Sequence, residues 1–215
     1  IKSRIKDAIK QLASINQKII SHNKFPLVLG GEHSITSGSI EPFTKKYKEL
    51  ILVHFDAHAD LRNEYKGEKF SHACAIKRCL DFKNVKVISL GIRNISSSEM
   101  KFYNNNKKRI QIFWAKDKQK WNLNKIINFC RKKNVYITFD VDCLDSSIMP
   151  ATGTPEPGGL LWEEIVPIIK GICKSSNLVG ADINELAPIK NFDSYNFLVA
   201  KLAYKILSYV FAIKR

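Results

Sequence analysis

Two short acidic runs hold the residue types in this chain best suited to chemistry. The first reads His54-Phe55-Asp56-Ala57-His58-Ala59-Asp60 and the second Thr138-Phe139-Asp140-Val141-Asp142. Alternate side chains of an extended chain share a face, so Asp56, His58 and Asp60 are expected to point one way, and Asp140 and Asp142 likewise. A glycine turn, Gly30-Gly31-Glu32-His33, supplies a further imidazole. Burying so many carboxylates is costly without compensating positive charge, and neither run contains a lysine or arginine. A pair of divalent cations would compensate. Aspartates and histidines without thiolates suit Mn²⁺ and related ions better than a structural zinc site. Bridging carboxylates can serve two ions ~3.5–4 Å apart, the spacing of two-metal hydrolases. A lone Asp-x-His is a weak signal, and an aspartate at a strand end often caps a helix. Two such runs on separate strands, joined by the glycine turn, are harder to explain that way. His54 shares the parity of the ligand candidates but sits one step deeper, so it reads as a packed histidine supporting them. His22 reads as solvent-exposed, and Cys143, although beside two aspartates, as a small buried hydrophobe.

These residues must be positioned by a framework, and the apolar pattern supplies one. Ile5, Ile9, Leu12, Ile15 and Ile19 recur at helical spacing over 1–22. Strands are expected over 25–29, 50–55, 84–90 (closed by Gly91), 110–114, 134–141 and 177–183. Helices are expected to end over 41–50 and to span 123–132, 162–173 and 195–212. The Pro- and Gly-rich stretch 145–160 reads as a loop. Short apolar strands alternating with helices predict one α/β domain with a mostly parallel sheet covered on both faces. The acidic runs then fall at the carboxyl ends of strands, where such sheets gather function.

Composition limits the alternatives. The 215 residues are 45% hydrophobic and carry 35 basic against 20 acidic side chains, a net charge of +15. That suffices for a core and argues against disorder. No apolar stretch approaches the ~20 residues of a membrane span, and the N-terminus does not resemble a signal peptide. The five cysteines are scattered without a Cys-x-x-Cys pair, which fits a reducing cytoplasm. Residues 101–134 hold eleven Lys/Arg and one acid, Asp117. They contain no nucleic-acid motif, so nucleic-acid binding is not expected as the main function.

Taken in order, several segments resemble the ureohydrolases, the arginase/agmatinase group of binuclear manganese amidinohydrolases. They are Gly30-Gly31-Glu32-His33-Ser34, Asp56-Ala57-His58-Ala59-Asp60, Ser71-His72-Ala73, Gly91-Ile92-Arg93, the stretch from Phe139 to Leu160, and Asp182-Ile183-Asn184-Glu185. The resemblance implies an arginase-like three-layer α-β-α sandwich. It implies two Mn²⁺ (or Co²⁺ or Fe²⁺), with Asp56 and Asp140 bridging, His33 and Asp60 completing one ion, and His58 and Asp142 the other. It also implies a metal-bridging hydroxide as nucleophile, held by Asp60, with Glu185 orienting the guanidinium. Thr154 would add a polar contact, and His72 would shuttle a proton to the leaving amine.

The loop Leu61 to His72 resembles the agmatinase version, implying hydrolysis of agmatine to putrescine and urea within polyamine biosynthesis. An arginase or another guanidino-acid ureohydrolase is the alternative. A non-catalytic fold homologue, or a protein interacting through its basic surface, is a further one. A metallophosphoesterase is set aside, because its Gly-Asn-His and Gly-His-x-His segments are missing. The family implies a homotrimer or homohexamer. It usually places several tens of residues before the Gly-Gly-Glu-His turn, against 29 here, so residues 1–215 are expected to form one N-terminally incomplete catalytic domain. The rim sequence Leu186-Ala187-Pro188-Ile189-Lys190 also departs from the family's usual small or polar residues.

Overall fold

Each apolar run expected as a strand joins one sheet, although the first, at its edge, is only partly buried, with Leu29 exposed. In the computed structural model, which describes residues 2–212, the strands are β1 (Leu27–Leu29), β2 (Leu50–Phe55), β3 (Val85–Ile92), β4 (Ile110–Trp114), β5 (Asn134–Asp140) and β6 (Asn177–Asn184). They form a single six-stranded sheet in the order β1-β6-β5-β2-β3-β4, with every pair parallel. Every residue of β2 is buried, as expected of a central parallel strand covered on both faces.

The helices are α1 (Lys2–Ser21), α2 (Thr36–Lys46), α3 (Ala75–Cys79), α4 (Ser97–Asn105), α5 (Leu123–Cys130), α6 (Trp162–Ser175) and α7 (Ser194–Ala212). Strand alternation divides the core in two. Ile51, Val53 and Phe55 pack with Ile126, Ile165, Ile169, Leu202 and Ile206 from α5, α6 and α7. Leu50 and Leu52 pack with Ile20, Ile40, Phe43 and Ile76 from α1, α2 and α3, with Phe102 of α4 against them. This is the expected three-layer α-β-α arrangement. β5 and β2 lie side by side although the chain visits β3 and β4 between them, so the sheet's switch point falls between them.

Three expectations need correction, and a fourth is met with its start supplied. The apolar stripe of α1 is rotated: Ile9, Ala13, Asn16 and Ile20 are buried, whereas Ile15 is 47% exposed. The cause is close contact with α2, where a Cβ on Gly38 would lie 2.4 Å from the Ile9 carbonyl oxygen, and Asn16 Nδ2 donates to Ser39 O at 3.1 Å. The helix expected to end over 41–50 does end there, at Lys46, and it begins at Thr36, where small residues rather than an apolar repeat make its inner face. The third strand continues through Gly91 to Ile92, with a register shift there and φ +97° at the glycine. Finally, α3 and α4 were not expected, although Ser96 and Glu99 form a capping box that announces α4. Ile1, part of the first expected helix, lies outside the described residues.

Candidate metal centre and cleft

The carboxyl ends of β1, β2, β5 and β6 converge on one buried acidic cluster. β2 ends at Phe55, and the next residues turn instead of continuing the pleat. Asp56 Oδ1 accepts from His58 N at 2.5 Å, and Asp60 adopts φ +52°. β5 ends at Asp140, whose Oδ1 accepts from Asp142 N at 2.9 Å and caps a 3-10 turn over Val141–Cys143. Asp142 Oδ1 in turn accepts from Ala57 N at 2.9 Å, tying the two loops together. Thus Asp56, Asp140 and Asp142 each hold a backbone N–H with one oxygen and keep the other for the cluster. The shared face expected from strand alternation is therefore built by turns.

His33 begins a 3-10 turn after β1 and is fully buried. Its Nδ1 lies 3.0 Å from Asp56 Oδ2, 3.3 Å from Asp60 Oδ2 and 3.3 Å from Asp140 Oδ2. Nevertheless Nδ1 has a hydrogen bond of proper geometry to none of them. On the other side of Asp56, His58 Nδ1 lies 3.0 Å from Asp142 Oδ2 and 3.5 Å from Asp56 Oδ1. Asp56 therefore faces both imidazoles. Among the described residues, the ion-pairing partners of these four carboxylates are all histidines. A buried nitrogen facing three carboxylate oxygens without hydrogen-bond geometry, amid carboxylates without lysine or arginine, is the donor set that hard or borderline divalent cations require. The residues fit such ions.

His54 also lies in this cluster, but both its ring nitrogens are engaged. Nε2 is 2.7 Å from Asp56 Oδ2 and Nδ1 3.0 Å from Ser89 Oγ. It positions Asp56, the supporting place its sequence depth suggests.

Charge crowding governs the protonation of the cluster without cations. Burial opposes the charged form of His58, but Asp142 and Asp56 outweigh it and push its pKa up to about 11. His33 is raised well above the imidazole range against burial, by Asp140, Asp56 and Asp60. Burial and the Asp56 charge raise Asp60 to about 7. Burial likewise raises Asp140 and Asp142, with Asp142 and then Asp56 adding to Asp140 and Asp56 adding to Asp142. Asp56 alone goes down, because His54 and His33 overcome its burial.

Above the cluster opens a cleft of about 420 Å³, whose walls include Arg62, Tyr65, His72, Thr154, Glu32 and Glu185. Glu185 follows β6 with φ +66°, a conformation uncommon for a side chain of this size. Its Oε1 accepts from His33 N at 2.6 Å, and burial raises its pKa. Thr154 Oγ1 lies 3.4 Å from Asp142 Oδ2. His72 sits apart from the cluster at the rim, its side chain 46% exposed and its Nδ1 4.0 Å from Glu32, with its ring edge to Tyr65 at 5.8 Å.

Sequence reasoning quoted Arg93 only as part of a motif. Its guanidinium donates to the carbonyls of Asp142, Glu156, Pro157, Gly91, Cys143 and Leu144, at 2.7 to 3.4 Å. It thereby fixes the loop after Asp142. No local pattern shows those carbonyls converging. Thr138, by contrast, shares the parity of Asp140 on β5 and could have been read as pointing under the cluster.

The arginase family model matches residues 1–209. The N(1)-aminopropylagmatine ureohydrolase of Synechocystis sp. is 34% identical over 194 residues, covering 88% of this chain and 62% of that protein. The agmatinase of Halalkalibacterium halodurans is 34% identical over 183 residues, covering 84% and 62%. The chain thus spans 62% of the length of these two curated relatives. The crystal structure of the agmatine ureohydrolase of Thermoplasma volcanium superposes with a TM-score of 0.83 at 32% identity, over 96% of this chain and 69% of that one.

Proposed function

Since the chain belongs to the arginase family, we propose that it is a binuclear amidinohydrolase that releases urea from agmatine and leaves putrescine. The observation carrying this reading is the orphaned His33 Nδ1 among three carboxylate oxygens, two of them from Asp60 and Asp140, which line the cleft together with Glu185. His33, Asp56, Asp60 and Asp140 would hold one cation, and Asp56, His58, Asp140 and Asp142 the other. Mn²⁺ is the ion proposed, with Co²⁺ and Fe²⁺ as substitutes. When bound, the pair would neutralise the clustered carboxylates and make water nucleophilic near neutral pH.

The chain's own groups do the rest. Glu185 holds one oxygen on His33 N, leaving Oε2 to accept guanidinium N–H groups and orient the substrate carbon over the cluster. Thr154 adds a polar contact at the same wall. Asp60 accepts a hydrogen bond from the attacking water. His72, at the mouth, carries a proton to the departing amine.

Glu32 on the cleft wall supports a cationic substrate tail. Arg62 favours a second reading, a guanidino acid, because it lines the same cleft, with Glu99 3.8 Å from its Nε sharing its charge. We further propose a cytoplasmic homotrimer or homohexamer; no helix among the described residues is long and apolar enough to cross a membrane.

The test is urea release by Mn²⁺-loaded protein offered agmatine, N-aminopropylagmatine, arginine and guanidinobutyrate, with Asp140→Asn as control. Urea from agmatine, lost in the control, is expected. Preference for guanidinobutyrate or arginine would establish the acid reading, and no urea from any substrate would overturn both.

A further inference from the structure

Beneath His33 lies a polar chain that reaches no solvent. His33 Nε2 is 2.8 Å from Thr138 Oγ1. Thr138 Oγ1 donates to Asp182 Oδ1 at 2.6 Å. The same Asp182 oxygen accepts from Asn184 Nδ2 at 2.7 Å and from Thr36 Oγ1 at 3.2 Å. His33, Thr36, Thr138, Asp182 and Asn184 are all 0% exposed. Three donors converge on one oxygen of a carboxylate that has no lysine or arginine partner, while Asp182 Oδ2 has no hydrogen bond of proper geometry, with the Tyr136 hydroxyl as its neighbour. A buried carboxylate is expensive to keep in mid-strand unless its position matters.

The direction of the chain follows from counting hydrogens. A threonine hydroxyl has one proton. At 2.6 Å that proton goes to Asp182, so Thr138 Oγ1 presents lone pairs to the imidazole. In the neutral imidazole, Nε2 of His33 must then carry the proton and Nδ1 the lone pair. Nδ1 is the nitrogen that faces the three carboxylate oxygens of the cluster.

We infer that Thr138 and Asp182 act as positioning residues, a hydroxyl–carboxylate relay that locks His33 in its Nε2–H tautomer and leaves Nδ1 free for a cation. The relay deepens the proposed binuclear reading and rests on it. It resembles the outer-shell partners that orient metal-bound histidines generally, except that a hydroxyl is interposed between imidazole and carboxylate. His54 holds Asp56 by direct contact; the relay reaches His33 from the neighbouring strands β5 and β6, on the same face of the sheet.

The test uses Thr138→Val, which keeps shape and removes the hydroxyl, and Thr138→Ser, which restores it. Mn²⁺ binding is followed by calorimetry, and the ring nitrogens of His33 by ¹⁵N NMR in the metal-free protein at a pH above its titration. The expectation for Thr138→Val is about ten- to hundredfold weaker binding of one of the two Mn²⁺ equivalents. The ring nitrogens should shift from the Nε2–H pattern to a tautomer mixture, and Thr138→Ser should restore both. Unchanged affinity and tautomer in Thr138→Val would overturn the relay while leaving the binuclear reading standing. A wild-type protein binding no Mn²⁺ would overturn both. A variant with a lowered melting temperature but a wild-type tautomer would reduce Thr138 to a packing role and also refute the relay.

Discussion

Loading the cluster with metal should expel protons, and the structure says which groups supply them. Without cations, His58 is held up to about 11, so at about pH 7.5 it carries one full proton. His33 is raised in the same direction against its burial, and burial raises Asp140 and Asp142. Asp60, at about 7, adds on the order of a quarter of a proton at that pH. Both imidazoles must give up Nδ1 to bind a cation. Filling the site should therefore release at least the proton of His58, about one per chain, with His33 and the raised carboxylates adding to it. The sign is fixed: protons compete with cations, so apparent affinity rises with pH, by up to about tenfold per unit for each proton displaced. Calorimetric titration of Mn²⁺ into metal-free protein, repeated in buffers of different ionisation enthalpy, measures the count. His58→Asn should release about one proton fewer. Stoichiometric binding with heats independent of the buffer would refute the reasoning, since the cations would then not be displacing protons from His33 and His58.

Three further outcomes follow from the same geometry. Replacing Arg93 with alanine removes its donors to six carbonyls; thermal unfolding should show a loss of about 2–4 kcal/mol, and Arg93→Lys should recover little of it, because one ammonium cannot reproduce the planar fork. Gly91→Ala would place a Cβ 2.9 Å from Cys143 Sγ and 3.0 Å from the Asp56 carbonyl, at φ +97°. It should destabilise by about 2 kcal/mol or more in a urea melt; a wild-type midpoint would mean the bulge relaxes freely. Glu185→Gln keeps an acceptor for His33 N but removes the charge, so kcat/KM for a guanidinium substrate should fall about ten- to hundredfold. Its Mn²⁺ stoichiometry should stay that of the wild type, and loss of bound metal would instead place Glu185 among the ligands.

The sequence by itself determined the strands and the inventory of the site. Both depend on local patterns: continuous apolar runs such as Leu50–Phe55 mark strands buried on both faces, and Asp-x-His-x-Asp and Asp-x-Asp mark carboxylates at their ends. The capping box at Ser96 and Glu99 marks the start of α4 just as locally. The start of α2 was not legible, because Ser37, Gly38 and Ser39 pack closely against α1 without an apolar repeat. Tertiary structure decided how the inventory is aimed. Asp142 reaches the cluster through a turn capped by Asp140, and Asp60 and Glu185 need positive φ values that no spacing rule foretells. The pairing of His54 with Asp56, the convergence of six carbonyls on Arg93 and the path from His33 to Asp182 join segments 2 to more than 100 residues apart. Periodicity specifies which face a side chain takes within one element. Hydrogen-bond direction and charge balance in a buried cluster depend on which elements meet, and only the folded chain brings them together.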